Sequence, residues 1–303
     1  MRHLLTLEEL DRSAITRLLD RAEPFRNEGA PRDLLAGRTV LTLFFEPSTR
    51  TRTSFVLAAK RLGADNINFD LSRSSTSKGE SLLDTLHTLE AMRLDALVVR
   101  HHDNGMPKYL AGHARSDVSV INAGDGTHAH PTQGLLDALT IRQRRPDFET
   151  LRVTICGDIR HSRVARSDVR ALTTLGVRDI RLCAPEAMLP ESLRDFPGCA
   201  TTGDFDAALA GSDVVIMLRI QKERMREAQF PEPADYHAHY GLDARRLALA
   251  SRDAQVLHPG PINRGIEIAP EVADGPQSRI LDQVSNGVAV RMAVLAELLA
   301  TRA

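Results

Sequence analysis

Apolar residues along the chain fall into two alternating patterns. Short runs rich in Val, Ile, Leu and Phe have the length of strands: "RTVLTLFFE" (38–46), "NINFD" (66–70), "DALVVRH" (95–101), "VSVINAG" (118–124), "LRVTICGD" (151–158), "DIRLCAP" (179–185), "SDVVIML" (212–218) and "AQVLHPG" (254–260). Between them, residues 49–62, 80–92, 131–144, 163–175 and 205–210 place apolar side chains at helical spacing. The opening "MRHLLTLEELDRSAITRLLDRA" carries charges throughout its apolar stripe and predicts an amphipathic helix, not a signal peptide. Strands alternating with helices imply βαβ crossovers and a mainly parallel sheet. Eight strands suit one barrel or two open sheets of four. A charged, proline-containing connector within "QGLLDALTIRQRRPDFETL" precedes the fresh strand at Leu151, which favours two sheets.

The expected fold is therefore α/β, with two doubly wound domains, each a mainly parallel sheet flanked by helices, joined by interdomain helices. The expected bounds are residues 1–145 and 146–285, with the apolar C-terminal helix, 286–303, packing back on the first domain. Two long stretches lack regular pattern: the Ser-rich "LSRSSTSKGE" (71–80) and the charged "RIQKERMREAQFPEPADYHAHYG" (219–241). Functional loops and linkers both have this look.

Composition narrows the class. The chain of 303 residues has 39 basic and 40 acidic side chains and a formal net charge of −1, without the basic excess of a nucleic-acid or membrane-surface protein. Cys156, Cys183 and Cys199 lack CxxC spacing and read as reduced thiols of a cytosolic protein. There is no Cys/His zinc-ligand cluster, and no apolar run of the roughly 20 residues a membrane span requires. A cytoplasmic protein with no metal is expected.

The candidate chemistry lies where strands end. In "FFEPSTRTRTSF" (44–55), Pro47 and Ser48 follow a strand and precede a helix that Ser48 can cap and Gly63 can end. A helix N-terminus binds anions through its unpaired N–H groups and dipole, and Thr49, Arg50, Thr51 and Arg52 add hydroxyls and guanidinium forks. Arg50 and Arg52 cannot share one helical face, so one is expected to meet the anion and the other to make a structural ion pair. Arg100 closes a second strand. His130 and Gln133 follow a third, with Pro131 at the first helical position leaving a neutral, hydrogen-bond-donating His130 near the cap. A capped helix and a structural histidine would explain each feature singly; three strand ends of one sheet favour a polar pocket. In the second half, "ICGDIRHSRVARS" (155–167) sets Arg163 and Arg166 after a strand, without the G-x-G-x-x-G fingerprint of a dinucleotide site. Arg219 and Gln221 follow the next strand. "HPGP" (258–261) ends another, its prolines removing N–H donors and leaving carbonyls to accept from a ligand amide.

In this order, "FFEPSTRTRTSFVLAAKRLGAD", "STSKGESLLDTL", "VVRH", "HPTQGLLDALTI", "GDIRHSRVARS", "MLRIQKERM" and "HPGPINRGIEI" cover nearly the whole chain and resemble the aspartate/ornithine carbamoyltransferase family. "LRIQKER" and "HPGPINRG" resemble its aspartate-using members, since Pro259 stands where the ornithine branch carries a Cys. The resemblance implies transfer of the carbamoyl group of carbamoyl phosphate to L-aspartate, giving N-carbamoyl-L-aspartate and phosphate in pyrimidine synthesis, with no cofactor. It implies that Ser48, Thr49, Arg50 and Thr51 hold the phosphate, and that Arg100, His130 and Gln133 hold the carbamoyl group with Gly260 and Pro261. Arg50, Thr51, Arg100 and His130 would be catalytic. Arg163, Arg219 and Gln221 would bind aspartate, together with Lys78 on a loop reaching a neighbouring subunit's site, beside Ser74 or Ser75. A homotrimer with shared sites follows, with regulatory or dihydroorotase-like chains as further partners and no nucleic acid or membrane. Other acceptors such as ornithine, a non-catalytic binding protein and an NAD-dependent dehydrogenase are the competing readings.

Overall fold

The computed structural model of the chain describes residues 1–69, 81–220 and 232–300. Helix α1 (Arg12–Asn27) is followed by β1 (Thr39–Phe44), α2 (Thr49–Arg61), β2 (Asp65–Phe69), α3 (Leu82–Ala91), β3 (Ala96–His101), α4 (Met106–His113), β4 (Ser119–Asp125) and α5 (Pro131–Arg142). The four strands pair in parallel in the order β2-β1-β3-β4. β1 is buried from Val40 to Phe44 and β4 throughout, the continuous burial of a sheet covered on both faces. Leu41, Leu43, Leu97, Val99 and Val120 form one packed face with Leu86 and Leu89 of α3 and Leu110 of α4.

α2 shows how sequence becomes packing here. Its inward stripe, Thr51, Ser54, Phe55, Ala58 and Ala59, is mostly small, so the helix lies close to the sheet while Phe55 is wholly buried. Burying one such ring contributes about 2–3 kcal/mol. The Arg291 guanidinium lies 5.1 Å from its centroid.

A second sheet is built from β5 (Arg152–Cys156), β6 (Asp179–Cys183), β7 (Cys199–Thr202), β8 (Val214–Met217) and β9 (Gln255–Leu257), parallel in the order β7-β6-β5-β8-β9. Its helices are α6 (Arg163–Leu175), α7 (Phe205–Leu209), α8 (Pro233–Tyr240), α9 (Ala244–Leu247), α10 (Pro270–Ala273) and the start of α11 (Ile280–Leu299). Cys156, Cys183, Val215, Met217 and Val256 pack there with Phe205, Leu242 and Ile268. Burial pushes the Cys156 thiol well above its ordinary range, and half-buried Cys199 is pushed up to about 12, so neither is a thiolate.

Both sheets are doubly wound: the order reverses between β1 and β3 in the first and between β5 and β8 in the second. The chain divides into two compact units, Met1–Leu136 with Val284–Ala303, and Asp137–Gln283. Both crossings fall inside helices, α5 and α11. Within the first unit, α11 is tied to α1 by Glu297, which accepts from Arg17 at 3.2 Å and Arg21 at 3.0 Å. No helix among the described residues is long and apolar enough to cross a membrane.

Three expectations are corrected. The second sheet has five strands, not four, because the edge strand β7, "CATT", buries neither face and shows no period. The N-terminal helix starts at Arg12, behind an Asp11 cap that accepts from Ala14 N at 2.7 Å. Leu4 instead extends the sheet beside β4, its N–H bonding Val120 O at 3.0 Å and its carbonyl accepting from Asn122 N at 2.8 Å. The stretch 219–241 is not wholly irregular either, since α8 occupies its end.

Candidate active site

The site residues predicted in the first half sit at carboxyl ends of β1, β3 and β4. Ser48 takes the N-cap position of α2 with extended backbone (φ −160°, ψ 94°), but its hydroxyl makes no capping bond. That oxygen is left over the helix N-terminus beside exposed Thr49 and Arg50, while Thr51 turns inward and is buried. Among the described residues Arg52 does not make the expected ion pair; it lies over the Phe44 ring at 5.3 Å. The two arginines thus divide as the helical geometry requires, with a ring face in place of a carboxylate.

Phe44 pairs with Arg100 across β1 and β3, and Phe45 N–H donates to Arg100 O at 2.8 Å. Arg100 therefore lies next to the α2 turn at the point where strand order reverses. Its Nε is 3.2 Å from Glu46 Oε2, and its Nη1 reaches Ala123 O of β4 at 3.4 Å. Glu46 was not anticipated. A carboxylate in a strand-end "FFE" run carries a signal only once its arginine partner is known.

His130 precedes α5 and is buried; its carbonyl accepts from Gln133 N at 2.9 Å and Gly134 N at 3.3 Å, the bonds of a helix start. The turn that delivers it is fixed by Asp125, another residue the sequence did not single out. Asp125 accepts from Gly105 N (2.7 Å), Asn122 Nδ2 (2.8 Å), His128 Nδ1 (2.9 Å) and Ala129 N (3.1 Å). Burial opposes its charge, but these bonds outweigh burial and hold its carboxyl below the ordinary range. Beside it, burial and the neighbouring His102 hold His101 below the usual histidine range. His101, His102 and Asp103 form the one metal-capable trio among the described residues, though His101 Nδ1 is engaged by Asp103 N–H at 2.9 Å.

In the second unit, Arg163 and Arg219 flank the other reversal point. β5 ends at Cys156, and α6 starts at Arg163 behind Ser162, whose Oγ accepts from Ala165 N at 3.0 Å. β8, hydrogen-bonded to β5, ends two residues before Arg219. Gly157 lets the two strand ends meet: at φ +133° it has no Cβ, which would lie 2.6 Å from Leu218 O. Arg163 is buried and Arg219 half-buried. Arg166, which looked similar in sequence, is structural: it donates to Arg160 O at 3.1 Å and lies over Phe196 at 5.3 Å.

The "HPGP" turn follows β9. His258 N–H donates to Gln283 Oε1 at 2.9 Å, and Gln283 Nε2 donates to Asp137 Oδ1 at 2.6 Å. Asp137 on α5 faces Asp168 on α6, both buried. Neither oxygen of Asp168 meets a donor, so its hydrogen bond to Asp137 requires a proton. Burial, then the Asp137 charge, raise the Asp168 carboxyl well above its ordinary range. Lys78, Gln221 and the loop serines Ser74 and Ser75 lie outside the described residues.

Two family models match, the carbamoyl-phosphate-binding domain of aspartate/ornithine carbamoyltransferase over residues 2–143 and the Asp/Orn-binding domain over 149–298. The aspartate carbamoyltransferase catalytic subunit of Stenotrophomonas maltophilia (strain K279a) is 58% identical over 305 residues, spanning 99% of this chain and 96% of that protein. The aspartate transcarbamoylase of Trypanosoma cruzi, solved with carbamoyl aspartate and phosphate, superposes with a TM-score of 0.88 at 31% identity, covering 98% of this chain and 96% of that one. The ornithine carbamoyltransferase of Pyrococcus furiosus superposes with a TM-score of 0.87 at 26% identity, over 100% of this chain and 98% of that one.

Proposed function

The chain belongs to the aspartate/ornithine carbamoyltransferase family, and we propose that it transfers the carbamoyl group of carbamoyl phosphate to the amine of L-aspartate, in pyrimidine biosynthesis. Near-full-length identity to aspartate enzymes, higher than to the ornithine enzyme of similar fold, supports aspartate as the acceptor. The structural observation that carries the reading is the placement of site residues on both sides of each strand-order reversal, where doubly wound sheets bind ligands.

The phosphate rests on the α2 N-terminus against Ser48, Thr49, Arg50 and Thr51. Arg100, His130 and Gln133 hold the carbamoyl oxygen and amide, and carbonyls around Gly260 and Pro261 accept from its NH2. Arg163 and Arg219 pair with the aspartate carboxylates through planar forks suited to a dicarboxylate, with Gln221 beside them. The aspartate amine attacks the carbamoyl carbon, negative charge collects on the former carbonyl oxygen, and phosphate leaves. Donors from Thr51, Arg100 and His130 stabilise that oxyanion, each worth on the order of a hundredfold in rate. Phosphate is already a good leaving group, so positioning and charge stabilisation suffice without a covalent nucleophile.

Residues 1–145 with 286–303 then form the carbamoyl-phosphate domain and 146–285 the aspartate domain. Lys78 completes a neighbour's site in a cytoplasmic homotrimer. The relatives' name, catalytic subunit, supports a further chain in the assembly, regulatory or dihydroorotase-like. The test is carbamoyl-aspartate formation by wild type, Lys78→Ala, Arg50→Ala and a mixture of the two variants after subunit exchange. Activity is expected in wild type and recovered in the mixture. A wild-type chain that carbamoylates ornithine but not aspartate would overturn the acceptor, and absence of recovery would overturn the shared site.

A further inference from the structure

The "HPGP" turn raises a mechanical problem. Its prolines, Pro259 and Pro261, supply no N–H to hold the turn in shape, yet its carbonyls must point accurately to recognise an amide. We propose that Glu267 is a positioning residue for carbamoyl recognition, acting through His258 on the turn that carries Gly260 and Pro261. The inference rests on the reading of that turn given above.

His258 and Glu267 are both wholly buried. Gly260 N–H lies 2.8 Å from His258 Nδ1, and a backbone N–H can only donate, so Nδ1 is an acceptor without a proton. The neutral ring's proton is then on Nε2, which donates to Glu267 Oε1 at 3.0 Å. The same Oε1 accepts from Asn263 N at 2.6 Å. One carboxylate oxygen therefore holds both ends of the turn, Asn263 directly and Gly260 through the imidazole. Glu267 is anchored in turn, its carbonyl accepting from Leu242 N at 3.0 Å. Gly260 sits at φ +66°, a conformation that glycine adopts freely, so an external contact is what holds it there. Without the carboxylate, the ring has no partner fixing its tautomer. Gly260 then loses its acceptor whenever the proton moves to Nδ1.

The consequence is selective. Misplaced carbonyls cost the contact with the ligand NH2 and nothing at the phosphate end. Acetyl phosphate is the probe, because it replaces that NH2 by a methyl group and keeps the rest. Dissociation constants of carbamoyl phosphate and acetyl phosphate are measured for the full chain as wild type, Glu267→Leu and Glu267→Gln. Wild type is expected to prefer carbamoyl phosphate. Glu267→Leu is expected to reduce that preference about tenfold, with acetyl phosphate affinity unchanged, while Glu267→Gln keeps an acceptor oxygen and restores most of it. Equal weakening of both ligands, or a preference that survives in Glu267→Leu, overturns the inference alone. A wild type that binds both ligands equally overturns it together with the reading of the turn. Independently of any variant, nitrogen NMR of wild type should find His258 protonated at Nε2 only; a proton on Nδ1 refutes the arrangement.

Discussion

The substitution Asp168→Asn should stabilise the protein, and increasingly so as pH rises. In the native chain Asp168 is buried against Asp137 with no donor for either oxygen, and its carboxyl is raised well above the ordinary 3.8. The unfolded chain releases that proton at the ordinary value, so above it the native state binds one proton more. Stability then falls with pH by about 1.4 kcal/mol per unit until the native carboxyl itself ionises. Below the ordinary carboxylate range the contribution is fully present. The amide of the Asp168→Asn variant presents an NH2 donor to Asp137 permanently and has nothing to titrate. From pH 5 upwards the stability difference between variant and wild type should therefore widen, by about 1.4 kcal/mol for each pH unit over which the native carboxyl keeps its proton. Urea unfolding of both proteins at pH 5, 6 and 7, with equal slopes, measures it. Curves that stay parallel across that range would show that Asp168 holds no proton in the folded state and refute the reasoning.

Ser48→Ala should cost less stability than the roughly 1 kcal/mol of a lost cap, because the hydroxyl makes no capping bond, yet raise the KM for carbamoyl phosphate. Thermal melts and initial rates separate the two effects. Gly157→Ala brings a Cβ to 2.6 Å from Leu218 O at φ +133° and should destabilise by about 1–3 kcal/mol while raising the KM for aspartate through Arg219, next along the chain; an unchanged KM would detach Arg219 from the acceptor. Arg219→Lys should lose the bidentate contact and raise the aspartate KM about tenfold or more, leaving carbamoyl phosphate binding unchanged by calorimetry.

The parts of the fold legible in sequence were those with a strong period. β1, β3, β4, β5 and β8 are mostly apolar and almost continuously buried because both faces are covered, and α2, α5 and α6 carry a cap residue or a leading proline at their starts. β7 escaped notice because an edge strand exposed on both faces needs no pattern. α4, "MPKYLAGH", is short, contains Pro and Gly, and starts after Gly105 at positive φ, so locally it reads as a turn. The residues proposed to meet ligand were readable from strand ends and helix starts. Their supports were not: His258 with Glu267, and Asp137 with Asp168, meet only after the chain has turned. One signal existed in Asp137, an acid placed inside the apolar run "GLLDALTI" of a helix buried along that stretch.

The crossings inside α5 and α11 have a consequence for how such a chain can be altered or diversify. Residues 137–283 are contiguous while both termini belong to the other unit, so this unit, which holds most of the match to the Asp/Orn-binding domain, is topologically a single insert in its host. An exchange of acceptor specificity between relatives therefore needs only two splice points. Each lies in continuous helix, where one residue gained or lost turns everything beyond it by about 100°. Grafts joined in helical phase should fold, and grafts out of phase by one residue should not.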